Sequence, residues 1–416
     1  MPSSLLVEYI LFLNYVLTGP VTWFFFGFGM IKGRQRMELI PEPPPALPES
    51  APEVTVLIPA KDEGERIRAC IESALAQDYP GERFRVVAID DRSTDNTGAV
   101  MDDLAARHPR LRVLHIKEGT LPEGWTGKCN ALHSAVKLPE VSGSRWLLFV
   151  DSDVVLQPNT LRSTLAFCED KSVDLISLLP ALESHGFWES LLVPLAGAGV
   201  TTMYLVALTN NDHLPNISFA NGQYLLVRRE VYDGIGGHER VRDRFCEDVE
   251  FARILKPMGK RIRISWGTRF AAVRMYSSLA SIFKGWGRNF YAGSLGRPWR
   301  ILGGIGFVLF CSFSAYIAFA WGVWRLFHPV NQYGAYGWLL ASAFHLAFMH
   351  GALATMYSWS GNPKRNALLF PLGGTMLIGI FLRSLRMCLT GKVEWRGTRY
   401  THRMDRALAA GQRPRV

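Results

Sequence analysis

Cysteine is scarce in this sequence, and the six cysteines lie far apart among 416 residues. No two of them form a Cys-x-x-Cys pair, the spacing that is typical of zinc ligands and of redox-active thiols. The sequence therefore argues against a zinc site, and it fits a protein that works in a reducing compartment.

An excess of acidic residues is also missing. Lysine and arginine together number 46 against 36 aspartates and glutamates, which gives a formal net charge of +10. A basic chain can bind nucleic acid, but here the basic residues flank long apolar runs, where anionic lipid headgroups attract them. We therefore expect a membrane as partner and no nucleic acid.

Charge is nearly absent from three long runs. Residues 5–31 contain only Glu8 as a charged residue, and residues 301–327 and 338–359 are also mostly apolar. Each run exceeds the roughly 20 residues that cross a bilayer as a helix. Because the first run lacks the basic start and the cleavage site of a signal peptide, it is predicted as a transmembrane anchor over residues 1–36.

The predicted membrane topology has one open point. Basic residues after the anchor predict that the following domain lies in the cytoplasm, at the inner face of the cell membrane. Residues 296–390 form a C-terminal membrane region, which makes the protein multi-pass. Its last run, 367–382, is short and contains Pro371, so it either crosses or re-enters the membrane. A crossing would place the basic tail, residues 391–416, outside, which the charge rule disfavours.

A soluble domain is predicted between the membrane segments. Residues 37–53 are rich in proline and predict an extended linker. From residue 54 onwards, short apolar runs alternate with amphipathic stretches of helical period, which is the rhythm of βαβ units. The sequence therefore predicts an α/β fold with a mostly parallel, Rossmann-like sheet, and we assign residues 54–295 to this domain.

One apolar segment inside this domain, residues 187–208, carries a single charged residue, Glu189. Its length would allow a crossing, but a crossing would separate the acidic residues before it from those after it. We interpret the segment as a helix at the membrane interface that is interrupted at Pro194. A buried helix of the soluble domain is the alternative.

Acidic clusters follow two of the predicted strands. Asp90 and Asp91 end one apolar run, and Asp151 and Asp153 follow another. Ligands of open α/β sheets bind at the carboxyl ends of strands. Because carboxylates repel a diphosphate, the Asp-x-Asp spacing indicates a divalent cation, Mn²⁺ or Mg²⁺, that bridges carboxylate and phosphate oxygens. The pattern predicts a site for a nucleotide sugar.

The order of these motifs resembles membrane-bound glycosyltransferases of family two, which have a GT-A fold. The matching segments are residues 56–63, 90–97, 151–153 and 246–248. The closest subgroup is the ceramide glucosyltransferase type, which includes hopene- and carotenoid-associated enzymes. That part of the resemblance rests on residues 124–128, 236–238 and 395–400. It implies a nucleotide-sugar donor and a lipid acceptor.

Several residues are candidates for binding the donor, because carboxylates at strand ends accept hydrogen bonds from a base or ribose and cations hold phosphate. The candidates are Asp62, Asp90, Asp91, Lys128, Asp151 and Arg288. The resemblance implies that Asp153 binds the metal directly. Helix capping is the alternative for Asp62 and the Asp90 loop, a surface position for Lys128, and anchoring of a membrane-proximal helix for Arg288.

An inverting sugar transfer needs a carboxylate that takes the proton of the attacking hydroxyl. Asp248 is the first candidate for this base and Glu247 the second; alternatively, both only form the acidic first turn of a helix. His238 lies near the acceptor or is a structural residue. Trp395 and Arg396 reach the site only if the tail is cytoplasmic.

The sequence thus predicts an inverting, metal-dependent glycosyltransferase that moves a sugar, with UDP-hexose as the expected donor, to a membrane lipid at the cytoplasmic face. A processive polysaccharide synthase is one alternative, which the absence of a Gln-x-x-Arg-Trp motif disfavours. A non-catalytic membrane scaffold that binds sugar nucleotides is the other. The presence of all the acids that turnover needs disfavours the scaffold. The sequence specifies neither the sugar nor the lipid.

Overall fold

The structure is a computed structural model, and it describes residues 3–44, 46–47, 50–328, 332–395 and 398–401. Within these residues, one eight-stranded sheet forms the centre of a domain that joins a bundle of long apolar helices. The strands of this sheet are β1 (Val54–Ala60), β2 (Phe84–Asp91), β3 (Leu111–Ile116), β4 (Trp146–Val150), β5 (Val154–Leu156), β6 (Leu175–Leu182), β7 (Tyr224–Arg228) and β8 (Ile262–Val273).

The α-helices lie on both faces of this sheet and in the apolar bundle. They are α1 (Ser3–Val16), α2 (Thr22–Met37), α3 (Ile67–Leu75), α4 (Thr97–Arg107), α5 (Gly127–Val136), α6 (Thr160–Asp170), α7 (Phe187–Met203), α8 (Arg229–Gly234), α9 (Gly237–Arg240), α10 (Glu247–Leu255), α11 (Leu279–Ser294), α12 (Pro298–Gly306), α13 (Ser314–Phe327), α14 (Gln332–Trp359) and α15 (Phe370–Thr390). After α15, residues 392–395 and 398–401 pair as a short antiparallel hairpin.

The sheet order is β3-β2-β1-β4-β7-β6-β8-β5. The first four strands are parallel, as are β6 and β8, whereas β7 runs antiparallel to both of its neighbours and β5 to β8. All seven residues of β1 are buried, as expected for a strand that helices cover on both faces. The predicted α/β fold with a mostly parallel sheet is confirmed.

Four helices in the described part of the chain are long and apolar enough to cross a membrane. They cover Leu6–Met37, Pro298–Phe327, Gly334–Trp359 and Lys364–Thr390. The first three run side by side, and an ion pair of 3.1 Å between Glu8 and Arg325 joins the first to the second at their ends farthest from the sheet.

The fourth helical segment packs along α7 and α11. Near its beginning, the Asn366 amide donates to the Ser190 carbonyl of α7 over 3.0 Å. Near its end, Cys388 Sγ lies 3.5 Å from Ser294 Oγ at the end of α11. Pro371 does not break the helix, because it stands in the first turn, where no intrahelical N–H is needed. Both ends of the segment therefore contact helices that belong to the sheet domain.

Helix α7 is continuous through Pro194, which corrects the expectation of an interruption there. A proline cannot donate to the carbonyl four residues earlier, here that of Ser190. Asn366 supplies the missing donor to this carbonyl, and Tyr357 OH donates to the next one, Leu191, over 2.7 Å. Contacts from the bundle thus compensate for the proline.

Candidate active site

A cavity of about 1110 Å³ opens at the carboxyl ends of β1, β2 and β4. Its walls near the sheet include Ala60 at the end of β1, Asp91 at the end of β2, and Asp151 and Asp153 after β4. Asp248, at the start of α10, lines the same cavity. The structure therefore brings together the acidic residues before and after α7.

Lys128 lies at the centre of this acidic end. Its Nζ is 2.6 Å from Asp151 Oδ1 and 2.7 Å from Glu247 Oε1. Burial opposes the charge of the lysine, but the carboxylates of Asp151, Glu247 and Asp248 outweigh it and hold the pKa of Lys128 well above its usual value. Lys128 is thus a partly buried cation, with 27% of its side chain exposed, that links Asp151 to Glu247.

The start of α5 fixes the position of Lys128. Thr126 caps this helix by accepting the N–H of Cys129 over 3.3 Å. A Cβ on Gly127 would lie only 2.3 Å from Asp91 Oδ2, so a larger residue would displace either the loop or Asp91. The Gly-Lys sequence therefore lets the β2 end and the α5 start approach each other closely.

Asp248 is held by backbone donors. Its Oδ2 accepts the N–H of Gly222 over 2.5 Å, and its Oδ1 accepts the N–H of Val249 over 2.8 Å. Burial, together with the neighbouring charge of Glu247, raises its pKa to about 7. A carboxylate with this pKa can accept a proton near neutral pH, which is what a general base requires.

Asp153 is the other carboxylate with a strongly shifted pKa. Burial and the negative charges of Asp151 and Glu63 raise its pKa to about 7. Among the described residues, no group of three His, Cys, Asp or Glu side chains is arranged to hold a metal ion by itself. Two crowded carboxylates fit a cation such as Mg²⁺, which takes one or two protein carboxylates and completes its shell with substrate phosphates.

The structure separates the candidate nucleotide ligands into two groups. Asp91, with Arg92 paired to it at 2.8 Å, lines the cavity. Asp62 and Asp90 lie outside its lining, and both accept hydrogen bonds from the loop after β2. Asp62 accepts the Thr94 N–H over 2.7 Å, and Asp90 accepts the Ser93 N–H over 3.0 Å.

The remaining candidates also have definite places. Arg288, on α11, lines the cavity. His238 is 1% exposed, and its Nδ1 lies 2.8 Å from Tyr232 OH, outside the cavity lining, so the structural interpretation holds for it. Arg396 and most of the tail lie outside the described residues, as does the side chain of Trp395.

Several residues that line the cavity were not among the candidates predicted from the sequence. Glu63 and Arg66 line the cavity after β1, and Tyr276, Trp286 and Asn289 line it near Arg288. Glu63 belongs to the motif that carried the family resemblance, so its place in that motif was a usable signal. The residues on α11 gave no such signal, because helix packing alone brings them to the cavity.

Two helices give the cavity an apolar end. Phe25, Phe28 and Gly29 of α2 line it together with Gly197 and Thr201 of α7. The cavity is thus continuous from a carboxylate cluster to a groove between apolar helices.

The profile of glycosyl transferase family 21 matches residues 23–408, and the chain belongs to this family. The protein is a glycosyltransferase, as the motifs predicted.

Named relatives cover parts of the chain. The beta-monoglucosyldiacylglycerol synthase of a Synechocystis species is 28% identical over 238 residues, which are 54% of this chain and 46% of that protein. The 4,4'-diaponeurosporenoate glycosyltransferase of Staphylococcus aureus is 24% identical over 265 residues, 63% of this chain and 67% of that protein. The chain thus matches less than half of the first relative.

The fold also has a solved counterpart. The mannosyltransferase PcManGT of Pyrobaculum calidifontis, solved in complex with GDP-Man and Mn²⁺, superimposes with a TM-score of 0.51 at 17% identity. The match covers 92% of this chain and 98% of that one. It confirms the GT-A-like fold.

Proposed function

We propose that this glycosyltransferase moves a sugar from a nucleotide sugar, with UDP-hexose as the first candidate, to a hydroxyl of a membrane lipid. The observation that carries the proposal is the single cavity, whose carboxylate end suits a sugar diphosphate and whose other end is apolar. The names of the two relatives support a lipid-related acceptor, since one is named for a glucosylated diacylglycerol and the other for 4,4'-diaponeurosporenoate.

Asp248 acts as the general base in this proposal. Its carboxylate takes the proton of the acceptor hydroxyl while the hydroxyl oxygen attacks the anomeric carbon. The bond from that carbon to the diphosphate breaks, the nucleoside diphosphate leaves, and the anomeric configuration inverts. Glu247, already paired with Lys128, is the less suitable base.

Asp153, with Asp151 beside it, would hold a Mn²⁺ or Mg²⁺ ion together with the donor diphosphate. When bound, such an ion acts as a Lewis acid that stabilises the charge developing on the leaving group. Asp91, Lys128 and Arg288 line the same part of the cavity and would orient the donor. Asp62 and Asp90 would support the nucleotide indirectly, by shaping the loops around Asp91.

The protein is proposed to lie in the cell membrane with its sheet domain in the cytoplasm. The helices over Leu6–Met37, Pro298–Phe327 and Gly334–Trp359 would cross, and α15 would not, since it packs along α7 and α11 of the sheet domain. This arrangement puts the basic tail in the cytoplasm, as the distribution of basic residues favours.

The test is transfer of radiolabelled sugar from a panel of UDP- and GDP-sugars into the extractable lipid of membranes that contain the full chain, with Mn²⁺ or Mg²⁺. We expect label in a small lipid, lost with a chelator and in Asp248→Asn. Label only in insoluble polymer would contradict lipid transfer, and nucleotide binding without any transfer would contradict an enzyme with this donor panel.

A further inference from the structure

The cavity is larger than the donor site requires. Small-molecule pockets span roughly 300 to 1,000 Å³, and this cavity measures about 1110 Å³. Its lining passes without a break from Asp248 and Asp153 to the apolar side chains of α2 and α7. There is thus room for a second ligand beside a nucleotide sugar, in a groove whose walls are these two helices.

The groove opens toward the membrane. Phe25 and Phe28, which line it from α2, are 65% and 54% exposed, and Leu205, just after α7, is 50% exposed. α2 belongs to the first candidate span, so Phe25 and Phe28 face lipid. Leu205 also has a left-handed backbone, with φ of 52°, so a turn that disfavours leucine holds this apolar side chain at the opening.

Along α2, apolar side chains come before basic ones, in the same order as the chain and the headgroup of a lipid in one leaflet. Phe25, Phe28 and Gly29 line the groove first, and Lys32, Arg34 and Arg36 line the cavity further on. From residue 25 to residue 36 the helix rises about 16 Å, roughly half of a hydrocarbon core of about 30 Å. The basic side chains therefore stand at headgroup level, with the sheet carboxylates beyond them.

Glycines in both walls leave space in the groove. A Cβ on Gly29 would meet no atom within 4 Å, and a Cβ on Gly197, in the opposite wall, would meet only Leu182 Cδ1 at 3.8 Å. Where α2 meets the chain after α7, a Cβ on Gly33 would lie 3.0 Å from that of Ala207. Glycine at position 33 thus lets α2 approach this part of the chain closely.

We infer that the groove between α2 and α7 is the lateral entry and binding site for the apolar chain of the lipid acceptor, which arrives from the cytoplasmic leaflet. The inference rests on the proposed function. The acceptor chain lies against Phe25, Gly29 and Gly197, its headgroup lies at the level of Arg34, and its hydroxyl reaches Asp248. The occupant is a long-chain lipid with a hydroxyl group.

Two plugging variants test the groove from opposite walls. Gly29→Phe and Gly197→Leu place an apolar side chain in the groove at positions where the protein leaves room. Gly351→Phe is the matched control, because a Cβ on Gly351 would also meet no atom within 4 Å, whereas this glycine lies on α14 outside the cavity lining. The full chain in lipid vesicles is irradiated with a long-chain alcohol that carries a diazirine near its chain end.

We expect label in peptides of α2 and α7, reduced by about tenfold in either plugging variant, the effect of withdrawing roughly two methylene groups from an apolar site. The Gly351→Phe variant should label as the unsubstituted chain does. Equal labelling in all three variants, or label spread evenly over the lipid-facing helices, would overturn the inference.

Measuring sugar transfer distinguishes a failure of this inference from a failure of the proposed function. In the same variants, transfer into membrane lipid should fall about tenfold, while binding of the nucleotide sugar stays unchanged. If lipid transfer by the plugged variants equals that of the unsubstituted chain, the acceptor enters elsewhere and the inference is wrong. If the groove binds the alcohol but the unsubstituted chain glycosylates no lipid, the proposed function fails.

Discussion

At the scale of single residues, Lys128 explains how several carboxylates come to lie close together. Its ammonium contacts Asp151 and Glu247, and its charge also lowers the pKa of the nearby Asp248, although burial and Glu247 keep that pKa raised to about 7. Buried like charges are costly unless a cation lies among them. Lys128 supplies this charge on one side of the cluster, and a divalent ion at Asp153 would supply it on the other.

The raised pKa of Asp248 predicts the pH dependence of the reaction. A base works only when it is deprotonated, so activity should be lost as the pH falls below about 7 and should level off above it. The measurement is kcat/KM against pH at saturating metal, which keeps Asp153 ionised. Asp248→Asn should lower kcat/KM by about 10²-fold or more. An unchanged acidic limb in that variant would show that another group titrates.

Replacement of Lys128 should shift the acidic limb of this pH profile. Lys128→Met removes a positive charge that lowers the pKa of Asp248, so the limb should move upwards by about 1 pH unit. Lys128→Arg, which keeps the charge, is the control and should move it less. The same pH profile checks both variants, and a limb that stays in place in Lys128→Met would contradict this role.

At the scale of elements, the alternation of strands and helices that the sequence predicts from residue 54 onwards is present in the structure. Each element is a local pattern of apolar residues, and local patterns are what periodicity reports. The place of β7 did not follow from the sequence: it comes after α7 in the chain but inserts between β4 and β6. Its five residues contain no signal for their partners, because strand pairing depends on distant segments.

In helix α7, a donor from another segment replaces the backbone N–H that Pro194 lacks, and this compensation can be tested. Asn366→Leu would leave the Ser190 carbonyl without its donor, which should cost about 1 to 3 kcal/mol of unfolding free energy. In a Pro194→Ala background, residue 194 donates to that carbonyl itself, and the same change should cost less. The measurement is thermal unfolding of the four proteins in detergent. Additive effects would contradict the coupling.

At the scale of the whole molecule, α15 decides on which side the tail emerges. An apolar helix of 21 residues is long enough to cross a bilayer, yet contacts at Asn366, just before it, and at Cys388 hold it against α7 and α11. If α15 does not cross, the basic tail emerges on the cytoplasmic side, which the distribution of basic residues favours.

Cysteine labelling checks this topology. In a version without the native cysteines, single cysteines are placed at Glu118 in the sheet domain, at His328 after α13, and at Lys392 after α15. A membrane-impermeant thiol reagent should reach the first and third from the same side and His328→Cys from the other side. Labelling of Lys392→Cys together with His328→Cys would show instead that α15 crosses.

The sequence by itself determined the βα rhythm, the apolar segments and the acidic motifs at strand ends, because periodicity, length and spacing are properties of neighbouring residues. It also named Asp153 and Asp248, whose roles remain predictions. Tertiary structure decided which candidates meet: Asp91 lines the cavity and Asp90 does not, and Lys128 lies between two acids. It also decided the packing of α15 against α7 and α11 and the groove between α2 and α7, because both depend on contacts between segments far apart in the chain.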